Sequence, residues 1–185
     1  MRLTMAAFCV TLNFVGAYIA LCLKLPVYLD SIGTILAGAV LGPMQGAAVA
    51  MGSGLISGVT SDIYAIYFMP AGMITGALAG FIFRLGLMDK KKFLLGTALI
   101  TLPGTAASAS ISAFLFHGVT SSGSSILVQL LSRLGFGLVA SAFVVQLVTD
   151  YADRLLSAAL VSVLMACMTA EMKLMLKGGQ SRGAV

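Results

Sequence analysis

Apolar residues along this chain fall in long unbroken runs, and the polar residues gather between the runs instead of alternating with them. A bilayer core about 30 Å thick takes roughly 20 apolar residues per crossing helix. On that measure the runs predict helices over about 4–23, 31–41, 43–59, 67–86, 93–116 and 155–176. Lys24, Pro26 and Asp30 close the first run. Gly42-Pro43 divides the stretch 31–59 into two helices with a tight turn between, because proline suits a first helical turn and glycine a last one. The first of that pair is short for a bilayer and is expected to sit shallow or tilted. Pro103-Gly104 predicts a kink in the helix over 93–116.

The last third reads less regularly. Thr120 to Ser125 is a Ser/Gly-rich loop, and 126–149 holds two apolar pieces around Arg133 and Gly135. Asp150, Asp153 and Arg154 then precede the final run. Lysines and arginines favour the cytoplasmic side of a membrane. Placing Arg2 and Lys90-Lys91-Lys92 inside requires an even number of crossings between them, which the Gly-Pro break supplies and an unbroken 31–59 helix does not. Lys173, Lys177 and Arg182 place the C-terminus inside as well. The segment 126–149 is therefore read as a partly inserted outer lid of short helices, with a seventh crossing as the alternative. The expectation is an all-α integral membrane protein: a six-transmembrane-helix bundle, one membrane domain over 1–185.

Composition agrees. Of 185 residues 59% are hydrophobic and 9% charged, too little charge to cover a soluble surface. The net charge of +5 lies at helix ends and needs no nucleic acid to explain it. Cys9, Cys22 and Cys167 lie in apolar runs without a CxxC and read as packing residues. No small-residue cleavage motif follows the first run ahead of a soluble domain, so a removable signal peptide is not expected. There is no GxxxxGK[ST] phosphate loop, so ATP-driven work would need a partner. With one histidine, no HExxH and no nucleophile elbow around Gly52-Ser53-Gly54, no enzyme, cofactor or metal site is expected.

Small residues repeat at helical spacing: Gly72, Gly76 and Gly80; Gly38, Gly42 and Gly46; Ala109 and Ala113. Such stripes let membrane helices approach closely, within one chain or against another protein. Asn13 and Gln45 are amides in apolar surroundings and need partners. Near the predicted outer ends stand Tyr28, Asp30, Asp62, Tyr64, Tyr67, His117 and Arg133. They read as an interfacial aromatic belt with solvated charges, or as a substrate-binding set if loops 24–32, 60–66 and 118–150 converge over an outward cavity.

The segment Leu29-Asp30-Ser31-Ile32-Gly33-Thr34-Ile35-Leu36-Ala37-Gly38-Ala39-Val40-Leu41-Gly42-Pro43-Met44-Gln45-Gly46-Ala47 resembles the S components of energy-coupling factor (ECF) transporters in its short apolar helix, Leu-Gly-Pro turn and small-residue helix. Gly80-Phe81-Ile82-Phe83-Arg84 before the lysine cluster, and Asp150-Tyr151-Ala152-Asp153-Arg154-Leu155-Leu156-Ser157, are similar to later features of that family. The resemblance implies a six-helix vitamin-binding subunit of a prokaryotic cell (plasma) membrane, with both termini cytoplasmic. It would capture ligand outside, release it inside by toppling, and work with a transmembrane T component and two ATPase subunits. The family docks its T component through AxxxA on the first helix. The nearest pairs here are Ala7 with Thr11 and Gly16 with Ala20, neither of which is AxxxA. With no tryptophan and much Gly, Ala and Ser, a roomy neutral cavity points first to cobalamin or a related corrinoid. Pantothenate, a pyridoxine-like or another small vitamin is the alternative. A structural membrane protein without ligand and a stand-alone secondary transporter are the readings from other classes.

Overall fold

The computed structural model describes residues 1–89 and 91–168, and every regular element in them is helical. In chain order these are α1 (Arg2–Cys22), α2 (Ile32–Leu41), α3 (Pro43–Thr60), α4 (Tyr64–Arg84), α5 (Phe93–Phe116), α6 (Ser124–Arg133) and α7 (Leu138–Cys167). Three of them, α1, α4 and α5, are long and apolar enough to cross a membrane. At about 1.5 Å per residue, the ten residues of α2 reach only half a bilayer core.

The turn between α2 and α3 follows from its two residues. Gly42 adopts φ 115°, which a side chain would disfavour, and Pro43 opens α3 where a missing N–H costs nothing. This turn lets α2 and α3 lie side by side against α4, with α1 on their other flank. α5 joins α4 to α7, and α6 lies on α7. One apolar core, including Cys9, Ile35, Leu41, Ile100 and Val161, binds α1 to α5 and α7 at the end away from the long loops. A smaller one, Ala113, Val128, Ala142 and Val145, holds α5, α6 and α7 together.

The glycine stripes lie inside the bundle. A Cβ on Gly76 would stand 2.5 Å from the Gly46 carbonyl group, and one on Gly38 would stand 2.7 Å from the Gly76 oxygen. Gly80 meets the Pro43 backbone in the same way, with a Cβ at 2.5 Å from its nitrogen. These glycines join α2 and α3 to α4, so their faces are already occupied by this chain. The outer faces are apolar instead, with Leu3, Phe8, Val15, Leu102, Val148 and Val163 among the exposed residues.

The last third departs from expectation. The final helix does not begin at 155. It runs unbroken through Leu138–Cys167, and the one separate short helix there, Ser124–Arg133, starts in the predicted loop and covers only the first part of the anticipated lid over 126–149. Asp150, Asp153 and Arg154 therefore sit mid-helix, where they continue α7 because each is buried and partnered. The predicted stretch 169–176, which includes Lys173, lies outside the described residues, as do Lys90, Lys177 and Arg182.

Candidate functional site

The connection 23–31 does not stay at the surface. It turns back beside α1, so that the Leu29 carbonyl lies against Gly16 and α2 begins next to the middle of α1. Leu29 holds φ 53°, an uncommon backbone for a branched residue. Two side chains fix this path. The Asp153 carboxylate of α7 accepts hydrogen bonds from the Leu29 N–H at 2.8 Å and the Ser31 hydroxyl at 2.8 Å. The Asn13 amide oxygen of α1 accepts from the Gly33 N–H at 2.7 Å, satisfying a donor that the start of a helix leaves free. Its nitrogen donates to Thr34 at 2.8 Å and Ser53 at 3.2 Å, so the lone amide of the first helix ties three helices together.

Between these elements lies a cavity with about 1090 Å³ of empty space, counting its opening to solvent. Its floor and walls carry Asn13 and Ala17 of α1, the serines 53 and 57 of α3, Gly72 and Thr75 of α4, and Ser108 of α5. α7 contributes Gln146, Asp150 and Arg154, spaced four apart so that all three share one face. Tyr28 and Asp30 enter from the connection, and Asp62 and Ser121 stand where loops meet. The cavity thus combines apolar area with hydroxyl, amide and charged groups, the usual make-up of a small-molecule site.

The charges are organised around Arg154. Its guanidinium lies 3.4 Å from Asp153 and 3.8 Å from Asp150. Asp150 also accepts from the hydroxyls of Thr105 at 2.9 Å and Ser108 at 3.0 Å, which joins α7 to α5. Asp30 is exposed to the cavity and forms no ion pair among the described residues. Among the described residues three buried polar atoms lack partners: the Gln146 amide oxygen, the Arg154 Nε and the Ser157 hydroxyl.

Three loops close over this space. The Gly123 N–H donates to the Leu25 carbonyl at 3.2 Å, and the Tyr28 and Thr120 hydroxyls pair at 3.4 Å. The Ser121 hydroxyl donates to the Asp62 carboxylate, whose other oxygen accepts from the Tyr64 N–H at 3.1 Å. The connection 23–31, the α3–α4 loop and the α5–α6 loop are therefore linked to one another.

Of the residues singled out from sequence, Tyr28, Asp30 and Asp62 line the cavity. Tyr64 and Tyr67 do not; both pack edge-on against Phe116, at 4.8 and 5.2 Å between ring centres. His117 is exposed in the left-handed turn that ends α5. Arg133 is exposed at the end of α6, away from the cavity lining. The proposed docking quartet also divides. Ala7 and Thr11 are exposed on α1, whereas Ala20 is buried and Gly16 faces Leu29, so these last two do not belong to an open docking face. Gln45 is half-buried near the start of α3.

Sequence reasoning missed Gln146 and the cavity roles of Asp150 and Arg154. Their signal was present: polar residues at positions i, i+4 and i+8, with apolar residues on both sides. No protein family, curated protein or solved structure matches this chain.

Proposed function

We propose that this chain is the substrate-capturing membrane subunit of an ATP-driven vitamin importer of the ECF type. The observation that carries the reading is a cavity of mixed apolar and polar lining, roofed by three loops of which the α5–α6 loop bonds to the other two, inside a bundle whose outer faces are apolar. Lipid accounts for exposed Leu, Phe and Val better than water does. Lys91 and Lys92 stand at the end opposite the roofed cavity, so the positive-inside rule turns the cavity outward. In this reading α1, α3, α4, α5 and α7 cross the membrane. The short α2 and the connection 23–31 together complete a sixth passage, and both termini lie in the cytoplasm. The chain resides in a prokaryotic plasma membrane, where a T component and two ATPases supply the energy.

The cavity favours a small vitamin over the corrinoid expectation. Much of the 1090 Å³ is opening to solvent, and the space that the centre of a water-sized sphere can reach is about 100 Å³, which suits a small vitamin better than a corrinoid macrocycle. Ala7 and Thr11 on the exposed side of α1 are the remaining candidates for contact with the T component.

The test is co-expression with a T component and its ATPases, followed by purification and uptake of a panel of labelled vitamins. The expected result is a stable complex, uptake of one vitamin, and loss of that uptake when the ATPases are inactivated. Uptake by the lone chain would refute the reading, as would a subunit that joins no T component and is stabilised by no vitamin.

A further inference from the structure

The capture reading leaves the ligand's chemistry open, and the cavity's charges narrow it. Asp150 and Asp153 pair with Arg154, the one cation among the lining residues, and Asp30 lines the same cavity. Asp150 and Asp153 have fixed structural duties, to α5 and to the connection 23–31 respectively. Asp30 does not. Its one side-chain contact is the Ser31 hydroxyl at 3.1 Å, and that hydroxyl stands closer to Asp153, at 2.8 Å. A serine has one O–H to give, so Asp30 shares the Ser31 hydroxyl with Asp153 and has no side-chain donor of its own. Its carboxylate is open to the cavity and free to meet a ligand. It faces the cavity that Gln146 also lines, 3% exposed and with its amide oxygen unpartnered.

We infer that the ligand is an organic cation, a protonated amine, quaternary ammonium or cationic ring nitrogen, whose charge sits against Asp30 beside the Gln146 amide. A metal ion is the poorer candidate, because no group of three or more His, Cys, Asp or Glu among the described residues could hold one. An anion would find only the Arg154 Nε without a partner, on a guanidinium whose charge already pairs with Asp150 and Asp153. The inference rests on the capture reading and specifies its ligand class.

Two measurements on the purified chain test it. The first needs no ligand. If Asp30 is held for a cation, Asp30→Asn removes one of three neighbouring carboxylates set against a single arginine, and the empty variant should melt at or above wild type. A lower melting temperature would make Asp30 a structural partner and overturn the assignment. The second compares charge-matched probes at neutral pH: choline with its uncharged tert-butyl analogue, pyridoxamine with pyridoxine, thiamine, and the anions pantothenate and biotin. At least one cation should raise the melting temperature, with its affinity reduced about tenfold or more by Asp30→Asn, as loss of a charge-assisted contact predicts. Equal affinity in the variant overturns the assignment. Stabilisation by a neutral or anionic vitamin alone also overturns it while leaving the capture reading intact. Stabilisation by no probe counts against both.

Discussion

Asp153 and Arg133 show how differently two charged residues of one chain can behave. The first is 1% exposed, holds a strained stretch of backbone through the Leu29 N–H and the Ser31 hydroxyl, and pairs with Arg154. Removing one member of a buried hydrogen-bonded pair strands the other, so Asp153→Ala should cost about 3 kcal/mol or more. Thermal or denaturant unfolding in detergent will measure it. Arg133 is exposed at a helix end, where a substitution moves stability by at most about 0.5 kcal/mol. Arg133→Ala should also leave ligand affinity unchanged, since the residue lies away from the cavity lining. A loss of binding would show that α6 closes over the cavity in the liganded state. Asn13 was legible as a residue needing partners, because an amide alone in an apolar run has few other options. The burial of Asp150 and Arg154 was not, although their helical spacing was. A charge inside an apolar run reads as the end of a helix unless its partners are known, and those partners come from α5 and the 23–31 connection.

At the scale of elements, the glycine spacing and the Gly-Pro break were legible because both act through local backbone geometry. What the spacing did not reveal was which surface each stripe would meet. The structure pairs the stripes within the chain, α2 and α3 on one side and α4 on the other. The cost of adding a side chain should therefore follow the local gap. A side chain at Gly76 would run into the Gly46 backbone, which cannot rotate away as a side chain can. Gly76→Leu is expected to lose more than about 3 kcal/mol or fail to accumulate in the membrane. A Cβ on Gly72, in the same stripe, would meet the Ala50 methyl at 3.4 Å, an ordinary contact. Gly72→Ala should express and melt near wild type. Similar behaviour of the two variants would mean that the stripe is not a close interface. The length of α7 was the least legible element. Thirty residues with three central charges look like two segments until the charges are seen to be neutralised by neighbours.

The whole molecule is divided between an apolar end, where six helices share one core, and a polar end held by loop-to-loop bonds. Such a division places the mobile parts around the cavity. Buried apolar contacts hold the helices, whereas a few exposed or half-buried hydrogen bonds hold the roof. Convergence of the three connections was foreseeable from alternate helix direction, which brings every second loop to the same end. The descent of 23–31 into the bundle was not, because it depends on Asp153 and Asn13, both distant in sequence. Asp62 is the residue through which the α3–α4 loop holds the α5–α6 loop, by way of Ser121. Asp62→Ala should therefore loosen the roof without unfolding the bundle. Hydrogen exchange should accelerate at the amides of Thr120 and Gly123, while global stability falls by no more than about 1.5 kcal/mol, the net worth of a typical hydrogen bond. Bound ligand should dissociate faster, with capture less affected than release, because a loosened roof lowers the barrier to leaving more than it alters the floor. If exchange at those amides is unchanged in the variant, the roof is held by the bonds that Thr120, Ser122 and Gly123 make to the 23–31 connection. The opening movement would then have to start at the 23–31 connection, on the α1 side of the cavity.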